Sequence, residues 1–228
     1  MMTNKNNKAI AFIFDMDGVI VDNAEHHYKA WEEFCKREGL PYERGASRYW
    51  FGNTNREILR KVYGRELDDE EVKAKGEAKE SIYRELIADE LAPVKGLKPL
   101  LKDMHMEGYQ VALATSAPTE NVEFVLGRLG IRDAFDPIVD ASGVIEGKPS
   151  PEIYLKAARL LDKDPAACLV FEDAIAGIRA ARSAGMKVVG LITTLDAHEL
   201  KDTVFNIADF TETGLEDLTG IFGESAEK

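Results

Sequence analysis

Residues Ile10-Ala11-Phe12-Ile13-Phe14 form an unbroken apolar run that stops at two carboxylates, Asp15 and Asp17, followed by Gly18. An apolar run without polar alternation suits a strand covered on both faces, as strands of parallel sheets are. Open parallel sheets bind ligands just beyond the carboxyl ends of their strands, so Asp15 and Asp17 are expected at such a rim. Two acids at the tip of an apolar strand serve no packing purpose. Taken alone, Asp15-Met16-Asp17-Gly18 reads equally well as a strand running into an Asp-Gly turn. The rest of the chain has to decide between the two.

After this run the pattern changes to a helical period. Ala24, Tyr28, Trp31, Phe34 and Cys35 recur at helical spacing and predict a helix over Ala24–Glu38, stopped by Gly39. An aromatic loop, Tyr49-Trp50-Phe51-Gly52, is expected next. Thr54 with Glu57 has the form of a capping box for a helix to about Tyr63, and Asp68 with Glu71 opens another to about Ala88. From Pro93 onward helices alternate with strands. Strands are expected at 109–114, 138–139, 168–171, 188–192 and, more weakly, near Ile207, with helices at 97–107, 120–129 and 151–161 and one that stops at Gly185. Ser150 and Pro151 stand at the cap and first position of the 151–161 helix. This alternation implies an α/β fold, a doubly wound parallel-sheet core with an inserted all-helical cap domain. The core is expected at 8–21 and 93–228 and the cap at 22–92, with hinges where the chain crosses near Val21 and Glu90.

Charge and cysteine content narrow the function. With 29 basic against 41 acidic residues the net charge is −12, which argues against a nucleic-acid or anionic-membrane partner. No apolar run reaches a membrane span. The first eight residues read as a disordered lead-in with no apolar signal-peptide core. Cys35 and Cys168 lie in apolar periodic segments without metal-ligand spacing, so both are expected to be buried free thiols. The expectation is a soluble cytoplasmic protein, monomeric or weakly dimeric, acting on a small molecule.

Three expected strands end in polar residues on one rim: Asp15 and Asp17, then Thr115 and Ser116, then Glu172 and Asp173. Lys148, within Gly147-Lys148-Pro149, lies in a loop that reaches the same rim. Adjacent carboxylates repel and persist with a cation between them, and an oxygen-only donor set favours Mg²⁺. A metal, a lysine and a hydroxyl around a nucleophilic carboxylate suit a transferring phosphoryl group. Asp15 is placed to attack phosphorus. Asp17, one strand repeat along, is placed to protonate the leaving oxygen and then deprotonate water.

These four segments, Asp15-Met16-Asp17-Gly18-Val19, Ala114-Thr115-Ser116, Gly147-Lys148-Pro149 and Phe171-Glu172-Asp173-Ala174, resemble in order the four motifs of the haloacid dehalogenase superfamily. The resemblance covers the whole chain, including a helical cap inserted after the first motif. It implies that Asp15 is the nucleophile and Asp17 the acid/base, with the main-chain carbonyl of Asp17 on Mg²⁺. It also implies that Thr115 and Lys148 hold the phosphoryl group, that Ser116 contributes its backbone amide, and that Asp173 with Glu172 completes the metal site. Dehalogenation needs no metal and so leaves Asp17, Glu172 and Asp173 without a joint purpose; phosphonate hydrolases lack an acid at the position of Asp17.

Within the superfamily, Asp22 to Trp31 resembles the β-phosphoglucomutase-like group, which carries a His and a Trp at the positions of His27 and Trp31. Lys79 matches a substrate-facing cap lysine of those mutases. A packed histidine and a solvated lysine are the ordinary alternatives for the two. The chain departs from the group at a substrate-binding Arg, which aligns with Asn55 and has Arg56 one place off. It departs again at Ala117-Pro118-Thr119, where the mutases carry a Lys-Asn pair that grips a second phosphate. The resemblance therefore implies a phosphatase of a small phosphorylated metabolite, such as a sugar phosphate, with a β-phosphoglucomutase as the alternative. A receiver-type signalling domain shares the acidic cluster, Thr and Lys, but has no helical insertion after its first strand. Gly143 to Lys148 has one residue too few between its glycines for a P-loop, and no dinucleotide-binding glycine pattern follows a strand.

Overall fold

The computed structural model of the chain describes residues 9–223; the lead-in expected at residues 1–8 lies outside them. The apolar run is β1 (Ala11–Phe14), buried throughout. It is followed by α1 (Ala24–Glu38), α2 (Arg44–Ser47), α3 (Asn55–Tyr63) and α4 (Asp69–Ile87). Then come α5 (Leu97–Met106), β2 (Gln110–Ala114), α6 (Thr119–Leu129), β3 (Ile138–Val139) and α7 (Glu152–Leu160). The chain continues through β4 (Cys168–Glu172), α8 (Ile175–Ser183), β5 (Lys187–Leu191), β6 (Phe205–Ile207) and α9 (Leu215–Gly223). The strands pair in parallel in the order β3-β2-β1-β4-β5-β6. The winding reverses at β1, so the crevice at its carboxyl end is the topological switch point, where such sheets bind ligands.

The two faces of the sheet carry different side chains. Strand period two sends alternate residues to opposite faces. In β1 this puts Phe12 and Phe14 on one face and Ala11 and Ile13 on the other. On the aromatic face Phe14 stacks on Phe171 with ring centroids 4.4 Å apart, and Phe135 and Phe210 close on Phe14. On the opposite face Ala112 and Ala114 let α7 and α8 approach through Tyr154, Ala157, Ile178 and Ala181. The register pairs Phe14 with Phe171, and the Asp15 N–H donates to the Phe171 carbonyl at 3.1 Å. Asp15 is thereby fixed beside Glu172.

The block between β1 and β2 is all helical, as expected. Both capping boxes form, Thr54 with Glu57 and Asp68 with Glu71, and Gly39 and Gly64 end α1 and α3 in the left-handed conformation. The aromatic loop expected at Tyr49–Gly52 is helical in its first half: α2 runs into a 3-10 turn over Arg48–Trp50. The reason is tertiary: the Trp50 ring packs edge-on against Trp31 and Tyr42. Helix α9 is a second element that the sequence pattern does not announce; it forms against α5 with Leu218 buried. The two chain crossings between sheet and helical block are tied together, since the Val94 N–H donates to the Ile20 carbonyl at 2.8 Å. Cys35 and Cys168 are buried free thiols. Among the described residues no helix is long and apolar enough to cross a membrane.

Candidate active site

The three strand ends meet as the sequence implies. Asp15 follows β1, Thr115 and Ser116 follow β2, Glu172 ends β4 and Asp173 follows it. Lys148 enters from the loop before α7. Its Nζ donates to Glu172 Oε1 at 2.6 Å and stands 3.0 Å from Asp15 Oδ1. Asp15, Thr115, Lys148, Glu172 and Asp173 are all buried. Burial disfavours the Lys148 ammonium, but the Asp15 and Glu172 carboxylates outweigh it and raise its pKa above the ordinary value.

Glu172 is saturated by protein donors. Oε1 accepts from Lys148 and from the Tyr154 hydroxyl at 2.8 Å, and Oε2 accepts from the backbone N–H groups of Asp173 and Ala174 at 3.0 Å each. A carboxylate has about four lone-pair positions, and all are in use. Asp15 Oδ1 and Asp173 Oδ2 differ: both are buried and neither receives a hydrogen bond, the Lys148 ion pair at Asp15 aside. Burial, with repulsion from Glu172 and Asp17, outweighs Lys148 and pushes the Asp15 carboxyl up to about 7. Asp173 is raised as well, by burial first and then by Glu172 and Asp15. Oxygens of Asp15, Glu172 and Asp173 lie within 4.8 Å of one another. Buried, mutually repelling oxygens with open lone pairs fit a hard divalent cation, and Mg²⁺ takes such a donor set.

Gly18 is required by close approach: at φ +75° a Cβ there would fall 1.9 Å from Asp173 Oδ2 and 3.0 Å from Thr194 Oγ1. Thr193 Oγ1 donates to the Gly18 carbonyl at 2.5 Å. These two threonines follow β5 and border the acidic cluster, Thr193 by bonding Gly18, a place sequence reasoning did not assign them. Tyr154, which orients Glu172, was missed too. Its only sequence signal is its place on the inner face of α7.

Asp17 leans toward the helical block. Its Oδ1 accepts from Asn23 Nδ2 at 2.7 Å and lies 3.5 Å from His27 Nε2. Asn23 also donates to the Tyr83 hydroxyl at 2.6 Å and accepts from the Gly18 N–H. Burial alone would raise the Asp17 pKa, but His27, Asn23 and Lys79 together bring it below the ordinary carboxylate value. His27 stacks on Tyr83 at 3.9 Å, and its Nδ1 lies 2.7 Å from Lys79 Nζ. An ammonium only donates, so Nδ1 accepts and Nε2 carries the proton facing Asp17. Lys79 is not on a solvated helix face: it is 2% exposed, with Nζ 3.0 Å from Glu80 Oε1 and 5.0 Å from the centre of the Trp31 ring system. Glu80 and Tyr83 were missed, although Tyr83 stands one helical turn beyond Lys79, on the same face of α4.

The remaining expected residues spread over two connected cavities. The inner one, about 60 Å³, is lined by Asp15, Asp17, His27, Asn55, Lys79 and Ser116, among others. Its volume has room for a few water-sized groups, so a larger organic group extends into the space beyond. An outer cleft of about 900 Å³ adjoins it and is lined by Asn55, Arg56, Pro118 and Gly147, among others. Arg56 points away from the inner cavity and pairs with Asp69. Thr115 Oγ1 accepts from the Ala117 N–H at 3.1 Å, and Ser116 Oγ donates to the Gly52 carbonyl at 2.7 Å, joining sheet domain and helical block.

A six-stranded parallel sheet with an acidic, lysine-bearing switch point under a helical insertion defines a class, and the comparisons agree with it. Residues 11–185 match the family model of the haloacid dehalogenase-like hydrolases, and the chain belongs to that family. Among curated relatives it is 36% identical to a β-phosphoglucomutase of Bacillus subtilis over 190 residues, covering 79% of this chain and 82% of the relative. It is 34% identical to a fructose-1-phosphate phosphatase of Escherichia coli over 177 residues, covering 78% of this chain and 93% of the relative. Among solved structures, the β-phosphoglucomutase of Clostridium difficile superposes with a TM-score of 0.85 at 31% identity, over 97% of this chain and all of the other.

Proposed function

We propose that this protein is a Mg²⁺-dependent phosphatase of a small phosphorylated metabolite, a sugar phosphate in type, acting in the cytoplasm through an aspartyl-phosphate intermediate. The observation that carries the reading is the buried convergence of Asp15, Lys148, Thr115 and Asp173 at adjacent strand ends, with carboxylate oxygens left open for a cation. Asp15 and Asp173 would hold the ion, joined by the Asp17 main-chain carbonyl. Glu172, whose oxygens are taken, supports the site by fixing Lys148. Bound there, Mg²⁺ supplies positive charge that keeps the carboxylates ionised and offsets charge on the phosphoryl oxygens.

Asp15 attacks phosphorus, and the bond to the ester oxygen breaks as Asp17, which has to take up a proton before this step because its neighbours hold its pKa low, gives that proton to the oxygen. Water then attacks the phosphorus of the aspartyl phosphate, Asp17 takes the water's proton, and Asp15 and inorganic phosphate separate. Lys148 and Thr115 hold the phosphoryl group in line throughout, assisted by the Ser116 amide. His27 sets the ionisation of Asp17 from the helical block.

Two features favour hydrolysis over mutase chemistry. Pro118 and Thr119 bring no cation to the second loop, and Arg56 is turned to Asp69. The test is Mg²⁺-dependent hydrolysis of p-nitrophenyl phosphate, which Asp15→Asn is expected to abolish; near-parental turnover in that variant sinks the nucleophile assignment. A panel of phosphorylated sugars including β-glucose 1-phosphate decides between the two chemistries. Glucose 6-phosphate formed without stoichiometric free phosphate overturns the phosphatase in favour of the mutase.

A further inference from the structure

Lys79 is the one lysine or arginine lining the inner cavity among the described residues, against the carboxylates Asp15, Asp17 and Glu80. A lone buried ammonium in such a place would grip any second anionic group on a substrate. Here it is already paired, with Glu80 Oε1 at 3.0 Å. Glu80 is itself only 3% exposed, and its other oxygen accepts from Asn121 Nδ2 at 2.7 Å, across the seam between helical block and sheet domain. Burial pushes the Glu80 carboxyl up, yet Lys79 and His27 outweigh it, so the acid is ionised. Asn121 is fully buried, and its Oδ1 accepts from Arg84 Nη1 at 2.7 Å. Arg84 also pairs with Glu77 and does not line the inner cavity.

Burying a carboxylate beside an ammonium is costly unless both are closely paired, and a helix seeking packing alone would place an apolar residue at position 80. We infer that Glu80 is a positioning residue that restricts this enzyme to monophosphates. By pairing with Lys79 it removes the free cation from the distal wall of the pocket, leaving a neutral hydrogen-bonding surface for the hydroxyls of the organic group. The inference rests on the phosphatase reading above and deepens it by assigning the substrate class.

The Glu80→Gln variant retains side-chain volume and an oxygen for Asn121 but releases the Lys79 charge. Parent and variant are compared by inhibition of Mg²⁺-dependent p-nitrophenyl phosphate hydrolysis, with glucose 6-phosphate and glucose 1,6-bisphosphate as competitors. Expected is a fall of about tenfold or more in the inhibition constant of the bisphosphate, with about threefold or less change for the monophosphate. Lys79→Met added to Glu80→Gln is expected to return the bisphosphate to its parental value. An unchanged ratio of the two constants in folded Glu80→Gln overturns the inference, as does a ratio that persists in the double variant. A role confined to holding the helical block in place moves both competitors together and also overturns it. If Glu80→Gln does not fold, Glu80→Asp, which draws the acid back by one methylene, carries the same comparison. Absence of p-nitrophenyl phosphate hydrolysis in the parent overturns the phosphatase reading and this one with it; its presence with an unchanged ratio overturns only the role of Glu80.

Discussion

Replacing Gly177 by alanine sets helix propensity against tertiary packing. Gly177 lies in the first turn of α8, and by propensity alone Gly→Ala in a helix gains about 1 kcal/mol. The added Cβ, however, would fall 1.6 Å from Glu172 Oε1, 2.0 Å from Cδ and 2.5 Å from Oε2. Glu172 has no free space to move into: it is fully buried and held by Lys148, Tyr154 and two backbone amides. Expelling a partner from a buried ion pair costs about 3–5 kcal/mol. After the helix gain is subtracted, about 2–4 kcal/mol of destabilisation remains. For a chain of 228 residues this is a fall in Tm of about 5–15 °C. Thermal unfolding followed by circular dichroism in EDTA measures it, and p-nitrophenyl phosphate turnover is expected to fall with it as Lys148 loses its anchor. Gly127→Ala is the control, since nothing lies within 4 Å of its added Cβ; it is expected to hold or raise Tm. An unchanged or raised Tm in Gly177→Ala with intact turnover refutes the packing argument.

Stability of the metal-free protein is expected to fall as pH rises from about 4 to about 7. The Asp15 carboxyl, pushed from 3.8 to about 7, keeps its proton in the folded chain after the unfolded chain has released it. Asp173 adds the same sign, and saturating Mg²⁺ removes the trend by replacing the proton. Melts in EDTA at about pH 5.5 and about pH 8 check this, and a higher Tm at the upper pH contradicts it. In His27→Ala, Asp17 loses its main stabilising neighbour, so the limb of the pH–rate profile governed by Asp17 is expected to move to higher pH; a limb that stays put removes His27 from that role. Gly147→Ala places a methyl 2.7 Å from Thr54 Cγ2 and 2.9 Å from Glu57 Oε2 and props the helical block off the sheet domain. Turnover is expected to drop about 10–100-fold, with a larger radius of gyration by small-angle scattering, and parental values for both mean the seam yields without opening.

The acidic rim was legible in the amino-acid order because its determinants are local. An apolar run ending in Asp15, or in Glu172 and Asp173, sets both a buried strand and what stands at its tip, and the parallel winding gathers those tips on one edge. Capping pairs such as Thr54 with Glu57 and stops such as Gly39 likewise act within a few residues of where they are written. The tertiary structure alone decided which polar residues are buried against partners distant in the chain. Lys79 and Glu80 sit on a heavily charged helix, and only contact with α1 and α6 takes them out of water. Tyr154 on Glu172 and Thr193 on Gly18 bring together residues 18 and 175 positions apart. The helical turns over 44–50 depend on Trp31 in the same way. A periodic pattern records which face of an element is apolar. It carries no record of which polar groups another element will cover, because that depends on how whole helices and strands meet.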